Sequence, residues 1–267
     1  METDLTPFYH DELWEKAPLP HFFQRADAVI FFGQNSARAV CHRLSQRFLR
    51  PVLWIQSFPR ENTVQSVSQF MADQFRSLQI PLENIPLRLK APDHVFPELE
   101  SRLRNAGIQE GSNPVVIHAG SGGKRKIWPL NQWLSLAAWL EKKSSRQAVT
   151  LLGPADSHLA PFAGELEKYG IPSLKNISLS HALALMNRAC AYVGNDSGLS
   201  HLAALAGTTC IVLFGPTDPR VWAPRGENVH IVRTSWDDEN NLNLSPPSPE
   251  VSPPMEAIQK LLLPIIS

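Results

Sequence analysis

Apolar residues are distributed along this chain in two patterns. The first is a series of short runs with little polar interruption: AVIFFG (28–33), PVLWIQSF (51–58), VVIHAG (115–120), AVTLLG (148–153), AYVGN (191–195), CIVLFG (210–215) and VHIVRT (229–234). Most end in a turn residue. Continuous rather than alternating apolar character suits strands buried on both faces of a parallel sheet. The second pattern lies between them. Residues 36–48, 63–78, 131–140 and 180–190 carry apolar side chains at three- and four-residue spacing, the period of a helix with one buried face. Strands alternating with helices predict an α/β fold with right-handed crossovers.

The spacing also predicts two domains. IPLRLKAPDHVFP (85–97) is Pro-rich and has no sustained period, so it reads as a linker. A short helix over 97–105 follows. The boundaries expected are an N-terminal domain over 1–90, linker and short helix over 91–112, and a C-terminal domain over 113–267. Five of the seven strands fall in the C-terminal part and two in the N-terminal part. After residue 234 comes SWDDENNLNLSPPSPEVSPP, polar and Pro-rich, an expected irregular loop, and a helix over 255–263 closes the chain. LLGPAD (151–156) and LFGPTD (213–218) look alike through shared turn chemistry rather than a domain repeat.

Composition narrows the picture a little. The 267 residues are enough for two modest domains or one large one. Formal net charge is zero, so nothing in bulk suggests a nucleic-acid binder. Three cysteines, Cys41, Cys190 and Cys210, are sparse and lack metal-ligand spacing, as expected in a reducing compartment. METDLTPFYHDELW is acidic and lacks the apolar core of a signal peptide. Residues 197–217 contain no Asp, Glu, Lys or Arg and have the length of a membrane span. Gly207 and Thr208-Thr209 interrupt that run and Gly215-Pro216 ends it, so a helix, a turn and a buried strand account for it better. The chain has no P-loop, no G-x-G-x-x-G after a strand, no G-x-S-x-G and no zinc-ligand spacing.

Ligands of open parallel sheets bind beyond the carboxyl ends of the strands, and three loops there carry candidate chemistry. In HAGSGGKRKIWP (118–129), Gly120, Gly122 and Gly123 permit close backbone approach, and Lys124, Arg125 and Lys126 add positive charge. Alone, the loop reads equally as a diphosphate cradle or as a flexible loop with a solvated basic tip. In GNDSGLSHLAALAG (194–207), Asp196 is an expected helix N-cap. The N–H groups of Ser197, Gly198 and Leu199 would then point outward as an anion site, with His201 four residues beyond Ser197 on the same face. Read alone, a plain capped helix with a packed histidine is the simpler account. In FGPTDPRVWAPRG (214–226), Trp222 suits either stacking on a ring or packing on the core. His118 reads as a ligand contact or as a satisfied core histidine.

Taken in order, HAGSGGKRKIWPLNQW, LLGPAD, GNDSGLSHLAALAG and LFGPTDPRVWAPRG resemble glycosyltransferase family 9, the ADP-heptose:lipopolysaccharide heptosyltransferases. The resemblance is strongest over 113–234. It implies a GT-B-like α/β architecture, two Rossmann-like domains with parallel sheets, the N-terminal one incomplete and on the acceptor side. It implies an inverting, metal-independent transfer of heptose or a similar sugar from an ADP-sugar to a lipopolysaccharide-core or other cell-envelope acceptor, glycan or lipid-linked. No cofactor, metal or nucleic acid is expected. Donor-binding residues carried over are Ser121, Gly122, Lys126, Asp196, Ser197, Gly198, Leu199 and His201. Family membership implies a cytoplasmic protein and allows peripheral contact with the inner face of the inner membrane. The family's N-terminal Gly-Asp loop, whose carboxylate serves as general base, has no counterpart in METDLTPFYHDELW. The catalytic residue is therefore unassigned: Asp4, Asp11, Glu12 and Asp27 are candidates that nothing in the sequence separates. The alternative function is a nucleotide-sugar-binding module impaired in catalysis.

Overall fold

The computed structural model describes residues 5–60, 63–83, 88–236, 242, 244 and 252–267. It divides into two compact units, Met1–Ile85 and Pro86–Ser267.

In the first unit, β1 (Val29–Gly33) and β2 (Val52–Gln56) pair in parallel, from Val29 opposite Val52 to Gly33 opposite Gln56. Helix α1 (Arg38–Arg47) connects them and buries Val40 and Leu44 against Phe8, Phe23 and Phe48. Helix α2 (Val67–Ser77) begins four residues later than the apolar period suggests, because Ser66 caps it by accepting from the Gln69 N–H. Its Gln74 side chain clasps the end of β2, accepting from Gln56 N at 2.8 Å and donating to Gln56 O at 3.0 Å.

The second unit opens with α3 (Phe96–Asn105), whose Leu99 and Leu103 are buried in its core. The chain just before α3 is tied to the same unit. Leu89 N donates to Leu205 O at 2.7 Å, and Asn187 holds the backbone of Leu89 and Ala91, both at 2.9 Å. There follow β3 (Val115–His118), α4 (Leu130–Lys143), β4 (Ala148–Leu152), α5 (Ala160–Glu167), β5 (Ser173–Lys175), α6 (Leu179–Arg188), β6 (Ala191–Asn195), α7 (Gly198–Ala206), β7 (Cys210–Phe214), the one-turn α8 (Pro219–Trp222), β8 (Val229–Arg233) and α9 (Pro253–Ile266). All six strands are parallel, in the order β5-β4-β3-β6-β7-β8.

The strands explain their own composition. Val115, Ile117, Val193, Ile211 and Leu213 pack with α4, α5 and α9, whereas Val116, Val149, Tyr192, Val212 and Phe214 pack with α3, α6 and α7. Successive residues face opposite layers, so a strand covered on both sides needs an unbroken apolar run. Each fully buried Val, Ile or Leu contributes about 1.5–3 kcal/mol relative to leaving it in water. The charge-free stretch over 197–217 resolves into α7, a left-handed turn at Gly207 (φ 81°) and β7. Among the described residues no helix is long and apolar enough to cross a membrane.

Three elements of the second unit lie outside the apolar patterns. β5 is a three-residue edge strand with one buried side chain. Helix α5 buries Phe162, Ala163 and Leu166, but Pro161 and Gly164 disguise its period. The turn α8 sits inside the proline-rich segment that reads as a loop, with Pro219 at its first position. Most of the segment expected to be an irregular loop after residue 234 lies outside the described residues.

Candidate donor site

β4 flanks β3 on one side and β6 flanks it on the other, so the chain reverses its direction of winding between β3 and β6. Such a switch point opens a crevice at the carboxyl ends of the two strands. The loops after β3, β6 and β7 all leave from that edge.

Asn195, the last residue of β6, fixes the first of them. It is fully buried. Its Nδ2 donates to Ala119 O at 2.6 Å and its Oδ1 accepts from Trp128 N at 3.1 Å, which pins both ends of the glycine-rich loop. Gly120 is required for a different reason. A Cβ at that position would lie 2.1 Å from Asp156 Oδ1. The Asp156 carboxylate is itself held by Gly153 N at 2.8 Å and is 5% exposed, so it has little room to give way.

Asp196 joins all three loops. Its backbone carbonyl accepts from Ser121 Oγ at 2.7 Å, and its carboxylate Oδ2 accepts from Lys126 Nζ at 3.2 Å and from Thr217 Oγ1 at 2.8 Å. This corrects its expected role as N-cap. Helix α7 begins at Gly198, and the cap position falls to Ser197, in extended conformation and without a side-chain cap bond. The Asp196 carboxylate is taken up by Lys126 and Thr217 instead. The first N–H groups of a helix have no acceptor within it, and, its chain neighbours and the helix's own backbone aside, no described atom lies within 4 Å of where a Cβ on Gly198 would stand. The N-terminus of α7 is therefore open to an anion, with the helix dipole behind it.

Beside it lies a cavity of about 690 Å³. Ser121, Gly122, Ser197, Gly198, Leu199 and His201 line one part; Leu151, Leu152, Ile177, Leu179, Ala182 and Leu205 make the rest strongly apolar. Lys126 and Asp196 are linked to this wall through the Ser121 bond rather than lining it. The shape suits a ligand with an anionic end at α7 and a flat apolar end between β4 and α6.

Two histidines belong to the wall. His201 reaches solvent, yet the atoms crowded around it cost its imidazolium hydration, and Lys126 adds repulsion. Asp196 and a hydrogen bond to the Trp222 backbone carbonyl oppose both, but the net direction is below the ordinary 6.5, so the ring is neutral at pH 7 and its single N–H is directed to the backbone at Trp222. His118 is 4% exposed and is held low chiefly by burial. Its Nδ1 donates to Leu151 O at 3.1 Å.

The loop after β7 contributes less than its composition suggests. Trp222 packs on the core, and Asp218 is occupied locally, capping α8 through Arg220 N at 2.9 Å and pairing with the Arg220 guanidinium. That pairing holds the Asp218 carboxyl at about 2. Thr217 enters the site through its bond to Asp196, and the Trp222 carbonyl accepts from His201. Asn195, Thr217 and Asp156 were not assigned from the sequence; the one signal for each was a polar residue at the end of an apolar run. Among the described residues no group of three or more His, Cys, Asp or Glu is placed to hold a metal ion.

A six-stranded parallel unit in Rossmann order, with a cavity at its switch point, has the architecture in which open α/β sheets bind their ligands. The family model of Glycosyltransferase family 9 (heptosyltransferase) matches residues 28–247, and the chain belongs to that family. Over 141 residues it is 29% identical to lipopolysaccharide heptosyltransferase 1 of Escherichia coli K12; the match covers 53% of this chain and 44% of that protein. The chain thus matches less than half the length of this relative. In fold it is similar to a family 9 glycosyl transferase of Veillonella parvula (TM-score 0.65, 14% identity, 88% of this chain and 68% of the other). It is also similar to E. coli ADP-heptose lps heptosyltransferase II (TM-score 0.64, 18% identity, 91% and 79%). The α/β, GT-B-like fold class follows.

Proposed function

We propose that this chain binds an ADP-sugar, ADP-heptose in the first instance, and transfers the sugar with inversion to a lipopolysaccharide-core or related cell-envelope acceptor. The observation that carries the reading is the convergence of three strand-end loops on Asp196, directly beside the open N-terminus of α7. The diphosphate would lie against the N–H groups of Ser197, Gly198 and Leu199, with Ser121, Gly122 and Lys126 from the facing loop. His201 stands at the rim of the site. Asp196 places the Lys126 ammonium and faces the donor sugar. When an acceptor hydroxyl displaces the diphosphate at the anomeric carbon, negative charge grows on the leaving oxygens. The helix dipole and Lys126 are fixed where that charge develops, which is why the reading is metal-independent.

The name of the relative similar in fold, an ADP-heptose heptosyltransferase, supports adenine as the base. Peripheral contact with a membrane surface, where such an acceptor would reside, is part of the same proposal. The test is donor consumption with ADP-heptose and a panel of UDP- and GDP-sugars, with and without acceptor. Transfer from ADP-heptose is expected; no binding and no turnover of any nucleotide sugar would sink the proposal.

One observation favours a second reading, donor binding without transfer. Of the carboxylates considered as general base, Asp11 pairs with Arg43 and Asp27 pairs with Arg50 at 3.1 Å, and both are highly exposed. Glu12 is also exposed, and Asp4 lies outside the described residues. A general base has to hold its carboxylate against the proton it takes, and none of these exposed side chains is fixed in a crevice. Saturable donor binding with no turnover would establish this reading, and turnover abolished by substituting one first-unit carboxylate would exclude it.

A further inference from the structure

We infer that His118 reads the nucleoside part of the ligand as a hydrogen-bond acceptor, and that this contact selects a nucleotide carrying an N–H or O–H at the facing position. The inference rests on the nucleotide-binding reading above and adds a specificity-determining residue to it. His118 is the last residue of β3, the central strand at the switch point, and lines the cavity. It is 4% exposed, so its polar atoms are paired within the protein or face the cavity alone.

One nitrogen is accounted for. Leu151 O can only accept, so Nδ1 carries the proton and donates to it at 3.1 Å. Burial holds the ring neutral at pH 7. A neutral imidazole with its proton on Nδ1 has a lone pair on Nε2 and no proton there. The ring therefore presents an acceptor to the cavity. Asp156, the other buried titratable side chain on that wall, is an acceptor as well. A phosphate oxygen against Nε2 would bring two acceptors together. The anionic end of the ligand thus belongs at α7, and His118 faces the nucleoside. The donor that satisfies it is a ribose hydroxyl or a base N–H; the chemistry is the same and the source differs.

Calorimetric titration of the full chain with ADP, 2′-deoxy-ADP, 3′-deoxy-ADP and purine riboside diphosphate distinguishes the sources. His118→Leu should weaken ADP about tenfold, the loss for one buried hydrogen bond left with an unpaired partner. His118→Gln, which keeps an acceptor, should recover most of that. One analogue, the one lacking the matched donor, should bind wild type and His118→Leu equally. A variant-free measurement runs alongside: with histidine labelled at nitrogen-15, the His118 Nε2 resonance should shift when ADP is added and stay put with that same analogue. Equal losses for every ligand, or an unmoved Nε2 resonance with ADP bound, overturns the assignment of His118 while leaving the nucleotide site intact. Failure of wild type to bind any of the four overturns both.

Discussion

Lys126→Ala tests the donor site where its charges are most closely coupled. On the proposed donor pose the substitution removes a charge-assisted bond to the diphosphate, about 1.5–3 kcal/mol. It also strips the Asp196 carboxylate, 8% exposed, of the ammonium 3.2 Å away and leaves it with Thr217 beside a bound anion. At about 6 Å and an effective dielectric of about 20, one such repulsion is roughly 3 kcal/mol. Lys126 is 27% exposed, so water and salt reach the pair, and we retain about 1 kcal/mol of that. The sum, about 2.5–4 kcal/mol, is roughly 10²–10³ in Kd. Calorimetric titration with ADP measures it, with a thermal melt to confirm folding. Because part of the loss is repulsion from Asp196, adding Asp196→Asn to Lys126→Ala should recover about fivefold in ADP affinity. In a wild-type background Asp196→Ala should instead weaken the sugar-bearing donor, since Lys126 and Thr217 lose their common anchor. A folded Lys126→Ala that binds ADP within about twofold of wild type refutes the site. A double variant no better than Lys126→Ala refutes the coupling.

Three further outcomes are expected. Gly120→Ala drives a methyl into the buried Asp156 carboxylate and should cost about 1–3 kcal/mol in urea denaturation; an unchanged midpoint would mean that the carboxylate is free to move. Asn195→Asp keeps the shape but sets a carboxylate oxygen against Ala119 O, and should cost about 2–4 kcal/mol and loosen the glycine-rich loop, read by denaturation and by amide exchange over 119–128. Burial depresses the His118 pKa, so as pH falls below the ordinary 6.5 the unfolded chain takes up a proton that the folded chain refuses. Stability from this source is full above about pH 6.5 and is lost as pH drops through the folded value. Between about pH 7.5 and 5.5 wild type should lose more stability than His118→Gln, and equal losses would acquit His118.

The strands of the second unit were legible because helices cover both faces of the sheet. Val115, Val116 and Ile117 face alternate layers and all must be apolar. β5 was not legible, since an edge strand of three residues with one buried side chain leaves no run to read. The glycines, Lys126 and the DSGLSH segment stood out because small and charged residues are unusual at the ends of apolar runs. The work of Asp196 was hidden for a different reason. Capping is decided by residues within one helical turn, whereas its partners are Lys126, 70 positions earlier, and Thr217, 21 positions later. A local reading can offer only the local partner. Trp222 stays open between stacking and packing in the sequence, because which of the two an indole does depends on what the fold places under it; here it packs on the core.

The Asn195-Asp196 pair shows how much chemistry the same shape can carry at adjacent positions. Asn195 faces one carbonyl, Ala119 O, and one N–H, Trp128 N, so it must both donate and accept. An amide does this without titrating and with separate donor and acceptor atoms, and in a fully buried place a charge would add a desolvation cost. Asp196 faces two donors, Lys126 Nζ and Thr217 Oγ1, on a single oxygen. An amide oxygen accepts from both but leaves the ammonium without a counter-charge. Exchanging the two residues would put a charge where none can be solvated and remove it where one is needed. The order Asn then Asp is thus set by the change from buried strand end to open crevice. That change takes place over one residue, at the point where the sheet's winding reverses.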